Sequence, residues 1–558
     1  MNDLLKELRA YYEKKHYIGL AGVLRFIADG FIFAAVVWYC IAAGGLLPLY
    51  VKDYGSLGSD KALFWMSSYN TPFKLLILGA AFLLSAFLVK LVTVEGAGPS
   101  FFERIKKTAL FTVITPTHVW GCLFLTSVLF SYIFSGYKEI ALRGETGWYC
   151  GTEEYVVIVL CLFVVALSGF GEWIFPAVIL LSSAAVFVLG IGMDLFGNIL
   201  SLESWNTSKV STVGNANWFC GYMVVTFFYA MALYFFRAYE KVKFPAIAKN
   251  LLRIYLFAGA YMYVMNGSSG GYVPLMAVLV IFLLFCKKDP EKLFIVSEMG
   301  TVMSLGVLAH CVALGLGAEA RSNDSLGELV NHPMFGILLF GICMFMSVFL
   351  DMKIKKGMNE TRFYIGKPAL YMTLSLALVF IMLLTVNTLS GGALLGVKGP
   401  LFFNRLWGNC RGITMEAGVR IFGGFSFREM LFGTGPDTFY SVYSGGRYPE
   451  LAETLKMYFG ESRLINAHCE PLTMLVNTGI FGTVTFYGML ISFIIKGLKQ
   501  SPEAGRHGIT ALGTSLCVTG YVINNLFSFQ TSVNLSQLSL MLAFGTAAVL
   551  KAHKQEKK

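Results

Sequence analysis

Apolar runs long enough to cross a membrane recur along the whole of this 558-residue chain, and they restrict its fold more than any other feature. A hydrocarbon core of about 30 Å needs about 20 residues of α-helix to cross it. Because lipid offers no water to the backbone, every amide inside it has to be hydrogen-bonded within the spanning structure. The runs lack the short period-2 alternation of membrane strands. The sequence therefore predicts an all-α polytopic membrane protein.

About fourteen transmembrane helices are predicted from these runs, consistent with a chain that is 56% hydrophobic and only 14% charged. One long polar interruption, residues 398–470, separates the eleventh predicted helix from the twelfth. The helices are expected near residues 27–49, 71–94, 108–135, 155–170, 173–193, 217–236, 251–266, 271–286, 294–316, 335–352, 368–390, 472–495, 509–527 and 533–550.

The polar interruption, called the cap below (residues 398–470), divides the chain into four regions. Residues 1–200 hold the N-terminal transmembrane helices, and residues 201–397 hold the central ones. Residues 471–558 hold the last transmembrane helices and a basic tail. The cap is rich in aromatic residues, which disordered segments lack, and loops of this length are usually functional when they fold. We expect a large, partly helical loop that carries the chemistry.

The net charge of +11 comes from short basic clusters between the apolar runs, not from one basic patch. This pattern encodes membrane topology and gives no reason to expect a nucleic-acid partner. Loops assigned to the cytoplasmic side carry roughly 26 Lys and Arg residues, against 6 in the short loops assigned to the other side. Both termini are therefore predicted to be cytoplasmic and the cap external.

His468 is the one histidine of the cap, and it lies four residues before the apolar run that begins at Leu472. It is therefore expected at the membrane surface. An imidazole with an ordinary pKa of about 6.5 can accept a proton near neutrality. Glu470 and Asn466 are close enough in sequence to orient it. A lone histidine is also often structural, so its position alone leaves both roles open.

The cap is also rich in arginine, the residue best suited to grip a phosphate because its planar fork makes two parallel charge-assisted hydrogen bonds. Such a surface could bind a lipid-linked diphosphate. The alternative is a solvated surface on which arginines pair with the cap's carboxylates, and charge alone does not separate the two. The arginines are Arg405, Arg411, Arg420, Arg428, Arg447 and Arg463.

Two short elements predict turns. One is a GTGPD sequence after an apolar approach, where glycine allows a tight reversal or the close approach of a ligand. The other is a GNAN sequence before the sixth predicted helix, which is typical of a turn and helix cap. The residues concerned are Gly433, Gly435, Pro436 and Asp437 in the first element and Asn215 and Asn217 in the second. No Cys-x-x-Cys pair or acidic metal cluster is visible, so no metal and no cofactor is predicted.

Taken together, these motifs resemble those of the bacterial O-antigen ligase and O-antigen polymerase superfamily of polytopic membrane glycosyltransferases. STVGNANWFCGYM (211–223) is similar to the family's Gly-Asn-x-Asn element. Arg411–Gly412 and LFGTGPDTF (431–439) are similar to its loop motifs, and HCEPLTMLVNTGIFG (468–482) is similar to its histidine signature. The resemblance covers roughly residues 200–500.

This resemblance implies transfer of a saccharide chain, without a metal, from an undecaprenyl-diphosphate carrier to the hydroxyl of a glycan or lipid-linked acceptor in the bacterial cell membrane. It implies that His468 is the base and that Arg411 holds the diphosphate. Two departures stand out: Cys469 replaces the usual asparagine, and NGSSGGY (266–272) lacks an arginine common in the family. A second charge for the diphosphate would then come from Arg405, Arg420 or Arg321.

Two other classes of function remain open from the sequence. A transporter or flippase of lipid-linked saccharides would have a similar size, but such proteins often show internal repeats, and none is evident here. A family member that only binds glycan is the third possibility, because Cys469 alters the residue beside the histidine.

Membrane topology supplies the first test. A reporter fused after Lys558 should be active only in the cytoplasm, because an even number of spans returns the C-terminus to the side of the N-terminus and the basic loops lie inside. A reporter active only on the external face would contradict this orientation.

Overall fold

The computed structural model describes residues 20–43, 60–93, 114–145, 148–167, 174–197, 211–213, 216–236, 245–318, 325–357, 360 and 365–556. Within these ranges the chain forms helices and turns and no β-strand, as predicted. Asn215 and Arg321 lie outside the described residues, as do parts of several predicted helix ends.

The described α-helices are numbered here in chain order. They are α1 (Leu20–Ala43), α2 (Asp60–Thr93), α3 (Pro116–Phe134), α4 (Lys138–Arg143), α5 (Thr152–Leu167), α6 (Ile174–Phe196), α7 (Ala216–Phe236), α8 (Ala246–Met265), α9 (Tyr272–Cys286), α10 (Pro290–Gly315), α11 (Ser325–Asn331), α12 (Pro333–Lys355), α13 (Gly366–Leu389), α14 (Trp407–Gly423), α15 (Phe427–Phe432), α16 (Phe439–Val442), α17 (Pro449–Phe459), α18 (Glu470–Leu498), α19 (Arg506–Asn524) and α20 (Ser532–Glu556).

Ten of the described helices are long and apolar enough to cross a membrane, which indicates a multi-pass membrane protein. All fourteen predicted helices overlap a helix of the structure. Four of the predicted spanning helices are not among these ten. Helices α5 and α9 are too short, with 16 and 15 residues, and α8 and α19 are less apolar than the spans require. Fourteen spans therefore stays a prediction.

Helix α7 occupies the centre of the bundle. Its sequence is apolar on every side, which is typical of a helix buried all round. It packs against α8, α19 and α20, and its aromatic side chains, such as Phe227 and Tyr229, are fully enclosed. By contrast, α13 is exposed over most of its length, as expected of a helix that faces lipid.

The cap folds around a hydrophobic cluster of its own. Ile413 and Ile421 of α14 pack with Phe439 of α16, Leu455 of α17 and Val476 of α18. The cap is therefore ordered, as its aromatic content predicts, and partly helical, and it is anchored to the membrane bundle through α18.

A break in α18 provides that anchor. Gly479 has φ 69° and ψ −171°, a conformation open to glycine and strained for other residues. The break disrupts the regular i→i−4 hydrogen bonds and leaves carbonyls without their helical donors. Thr434 N and Gly435 N of the cap donate to Val476 O (3.1 Å) and Asn477 O (2.9 Å). Ser131 Oγ of α3 also donates to Asn477 O, at 2.9 Å.

The two backbones approach each other so closely at this contact that only glycine fits on either side. Gly433 has φ 72°, and a Cβ there would overlap the backbone of Asn477. A Cβ on Gly479 would overlap Leu431 O and Gly433 N. The GTGPD turn is therefore a docking element that meets the broken turn of α18 backbone to backbone.

Replacing Gly479 by alanine should destabilise the protein. The left-handed conformation alone costs about 1–3 kcal/mol for a residue with a Cβ, and the overlap with the cap adds to this. The melting temperature in detergent should fall clearly below that of the wild type.

Gly423→Ala is the matched control, because Gly423 is a helical residue with negative φ and open space around its Cβ position. It should melt close to the wild type. Equal melting temperatures for the Gly479 and Gly423 variants would contradict the proposed anchor.

Candidate functional site

The backbone around His468 is held in an uncommon conformation at the start of α18. His468 has φ 49°, which is left-handed and infrequent for a residue other than glycine. His468 N donates to Asn466 Oδ1 at 3.0 Å, and Ala467 N donates to Thr473 Oγ1 at 3.1 Å. Asn466 therefore supports the main chain of His468. Strained backbone of this kind often accompanies functional positions.

The imidazole of His468 lies against the Phe529 ring, edge to face, with 4.9 Å between the ring centroids. Its Nδ1 is buried and has no hydrogen-bond partner among the described residues. Burial lowers the pKa of His468 to about 4, and the charge of Arg411 acts in the same direction. The ring is therefore neutral at physiological pH and able to accept a proton.

Arg411 reaches the site from the first regular turn of α14. Gly408, Asn409 and Cys410 before it all have positive φ, so the regular helix begins at Arg411. Gly412 has no room for a side chain, because a Cβ would overlap Asn404 O. These features explain why an Arg-Gly pair stands here.

Two hydrogen bonds orient the guanidinium of Arg411, and a third joins its helix to the histidine segment. Arg411 Nη1 donates to Gly408 O and Nη2 to Asn217 Oδ1, both at 3.3 Å. Thr414 Oγ1 donates to Ala467 O at 2.9 Å, which fixes α14 against the residue before His468. The three sequence elements with Asn217, Arg411 and His468 therefore meet in one place.

The segment 266–272 also belongs to this meeting point. Ser268 Oγ donates to Asn217 Oδ1 at 3.3 Å, and Asn266 Nδ2 donates to Ala216 O at 3.1 Å. Asn266 is buried, and its Oδ1 has no partner among the described residues. No sequence pattern selects Ser268, because only the packing of α7 against α8 and α9 shows which loops adjoin.

Two of the three arginines considered for a second phosphate contact, Arg405 and Arg420, are bound elsewhere. Arg405 makes two hydrogen bonds to Glu416, at 2.8 and 2.9 Å, and Arg420 pairs with the same carboxylate at 2.6 Å. Their side chains are about half exposed. A diphosphate would have to displace Glu416 to use them.

The three remaining cap arginines each have a carboxylate or aromatic partner. Arg447 binds Glu429 through both terminal nitrogens, and this lowers the pKa of the Glu429 carboxyl to about 2. Arg463 donates to Glu145, and Arg428 lies over the Phe134 ring. The paired-surface interpretation therefore describes Arg447, as it does Arg405 and Arg420, whereas the partners of Arg463 and Arg428 lie outside the cap.

Asp437 extends the GTGPD anchor towards a third part of the chain. It has φ 59°, it is buried, and its Oδ2 accepts hydrogen bonds from Glu145 N (2.7 Å) and Cys150 N (3.1 Å). Burial raises the pKa of Asp437 to about 7, although these two hydrogen bonds oppose the shift. Gly435 and Pro436 thus lead the chain to Asp437, whose carboxyl group binds the backbone of Glu145 and Cys150 and not His468.

Glu470 binds the loop before α20 rather than His468. Its Oε2 accepts from Gln530 N at 2.7 Å, and its own N donates to Asn525 O at 2.8 Å. These bonds hold Phe529 against the His468 ring. Phe529 was not predicted from sequence, since nothing in the LFSFQTS segment marks a contact with His468, 61 residues earlier in the chain.

The pH dependence of stability tests the environment of Asp437. Its pKa is higher in the folded protein, about 7, than in an unfolded chain, about 3.9, so its stabilising effect is present in acid and lost as pH rises towards 7. The asparagine of the Asp437→Asn variant cannot ionise, keeps an acceptor oxygen and tolerates positive φ. Between pH 4 and 7 the melting temperature of the wild type should therefore fall relative to that of Asp437→Asn, measured in buffer containing EDTA. Plots of melting temperature against pH that run parallel for the two proteins would contradict the raised pKa of Asp437.

Among the described residues, no group of three or more His, Cys, Asp or Glu side chains is placed to hold a metal ion. No protein-family model and no curated protein matches the sequence. The functional interpretation therefore depends on the geometry around His468 and Arg411 and on the sequence motifs that place them there.

Proposed function

We propose that this protein is a membrane glycosyltransferase that moves a saccharide from an undecaprenyl-diphosphate-linked donor to the hydroxyl of a glycan or lipid-linked acceptor. The observation that supports this most is the convergence of Arg411, Asn217 and His468 from three distant parts of the sequence. It joins a diphosphate-binding group to a neutral base. In this proposal the cap lies outside a bacterial cell membrane, with both termini cytoplasmic.

Arg411 stabilises the leaving group. As the bond between the anomeric carbon and the diphosphate breaks, negative charge grows on the diphosphate oxygens. A guanidinium already oriented by Gly408 O and Asn217 Oδ1 meets this charge with little reorganisation. Its planar fork suits the geometry of a phosphate better than the point charge of a lysine does.

His468 activates the acceptor. The acceptor oxygen attacks the anomeric carbon, and its proton passes to the neutral imidazole, so the free diphosphate lipid leaves with its full charge. A pKa of about 4 would make His468 a weak base, but part of that lowering comes from Arg411. A bound diphosphate offsets the charge of Arg411 and thus raises the pKa of His468 when the donor is present. The base is strengthened only in the complex that reacts.

A transporter of lipid-linked saccharides is the second candidate, favoured by one observation. Asp194, Tyr261 and His310 form a buried cluster on α6, α8 and α10, with Tyr261 Oη donating to Asp194 Oδ2 at 2.7 Å and His310 Nδ1 at 3.4 Å from the same oxygen. Ionisable groups inside a membrane often belong to transport pathways. Movement of a labelled lipid-linked saccharide across a liposome membrane without any transfer would favour this candidate.

Loss of the His468 imidazole should lower the turnover number by about 10²- to 10⁴-fold. His468→Ala and His468→Asn are both needed, because asparagine accepts the left-handed backbone and separates chemistry from folding. His332→Ala, which changes a histidine at the start of α12, is the control.

Transfer from purified lipid-linked donor in liposomes is the measurement. In the plot of kcat/KM against pH, the fall on the acid side reports the pKa of His468 in the free enzyme and should lie near pH 4. In the plot of kcat against pH, the fall reports the enzyme with bound donor and should lie at higher pH. Near-normal turnover by both His468 variants would remove His468 from the mechanism.

Arg411→Lys should lose most activity although it keeps the positive charge, because an ammonium cannot reproduce the two-pronged contact. Arg463→Lys is the matched control, since Arg463 is more than half exposed and donates to Glu145. Donor affinity and turnover are measured for both variants. Equal effects of the two substitutions would contradict a specific diphosphate contact at Arg411.

A further inference from the structure

A small acidic pocket adjoins the His468 segment, at the junction of the cap, α18 and the loop before α20. Asp437 and Glu470 supply its two carboxyl groups, and no Lys, Arg or His side chain lines it. The remaining lining is mostly polar and includes Cys150, Asn477 and Gln530. Negative charge in this pocket therefore has no cationic side chain in the lining to balance it.

Each carboxyl group is anchored through one oxygen. Asp437 Oδ2 accepts from Glu145 N and Cys150 N, and Glu470 Oε2 accepts from Gln530 N. No described residue donates a hydrogen bond to Asp437 Oδ1 or to Glu470 Oε1. The two carboxyls are thus held rigidly, and each keeps one oxygen available.

Asn477 gives an independent indication of a ligand. It lines the same pocket, it is only 4% exposed, and its Oδ1 has no hydrogen-bond partner among the described residues. A buried amide oxygen without a donor or a cation is unfavourable. Its backbone oxygen is fixed by Gly435 N and Ser131 Oγ, so Asn477 cannot easily move away.

The surroundings add to the negative field. Glu154 is buried close by, and both of its carboxyl oxygens lack partners among the described residues. Cys150 lines the pocket as well, and its backbone N donates to Asp437 Oδ2 at 3.1 Å. Several acidic groups therefore act on one small space.

We propose that this pocket binds a single Ca²⁺ ion through Asp437, Glu470 and the side-chain oxygen of Asn477. Carboxylate and amide oxygens are the ligands of hard divalent cations, and two carboxylates balance the charge of one such ion. Ca²⁺ fits an irregular set of side-chain oxygens completed by water, whereas Mg²⁺ requires near-octahedral geometry. The ion joins the cap to α18, and the proposal does not depend on glycosyl transfer.

Calcium binding to the purified full-length protein in detergent, without donor or acceptor, tests this. After EDTA treatment and its removal, Ca²⁺ should raise the melting temperature saturably, with one ion bound per chain by equilibrium dialysis. The effect should disappear in the double variant Asp437→Asn/Glu470→Gln, which keeps acceptor oxygens for the backbone donors. Glu461→Gln, a change at an exposed carboxylate paired with Lys456, should bind Ca²⁺ as the wild type does.

Competition with protons and with other cations completes the test. Affinity for Ca²⁺ should rise as pH rises from about 5.5 to about 8, by up to about tenfold per pH unit for each proton displaced. Mg²⁺ and Na⁺ should bind at least roughly tenfold more weakly. Absence of Ca²⁺ binding by the wild type, or equal binding by the double variant, would overturn the proposal. A His468→Ala variant that loses glycosyl transfer but still binds Ca²⁺ would support a calcium site that is independent of the transfer reaction.

Discussion

The break in α18 at Gly479 is the constraint on which the rest of this structure depends. An unbroken helix would use its own amides to satisfy the carbonyls of Val476 and Asn477. The break offers them to Thr434 and Gly435 of the cap instead. In a membrane protein such carbonyls need partners, because lipid supplies none. The contact fixes the cap on the bundle by backbone hydrogen bonds that depend on glycine, and Thr434 Oγ1 adds a side-chain hydrogen bond to Val476 O.

Once the cap is fixed in this way, the geometry of the candidate site follows. The hydrophobic cluster of the cap holds α14 against residues 467 and 472, and Thr414 bonds to Ala467. Arg411 then lies close enough to His468 to lower the pKa of its imidazole. Asn217 of the bundle accepts a hydrogen bond from Arg411 and another from Ser268. The site is formed by the interface between cap and bundle, which explains why its parts are scattered in sequence.

Features that depend on local pattern were predicted well from the sequence. Hydropathy located the helices because the period and length of an apolar run determine a spanning helix directly. Motif resemblance selected His468 and Arg411, and the structure places both at one interface, although their chemical roles stay predictions. Helix ends were less accurate: α2 begins at Asp60, eleven residues before the expected start, because a helix continues beyond its apolar part.

The features that sequence could not give depend on tertiary contact. GTGPD predicts a turn, but its docking on α18 emerges only when both segments are seen together. Arg405 and Arg420 could not be separated from Arg411 by charge, since a shared partner, Glu416, distinguishes them. Sequence alone suggests that Glu470 orients the histidine and that Asp437 belongs to a turn. In the structure Glu470 binds the loop before α20, and Asp437 accepts hydrogen bonds from the backbone of Glu145 and Cys150.

Arg411 and His468 act on one another across this interface, and the pKa of His468 measures that coupling directly. Selective isotope labelling of the seven histidines, with His468 assigned by substitution, allows NMR titration of the ring in detergent. We expect a pKa near 4 in the wild type and a higher value in Arg411→Gln, because one of the two causes of the lowering is removed. An identical pKa in both proteins would contradict the convergence from which the proposed function was drawn.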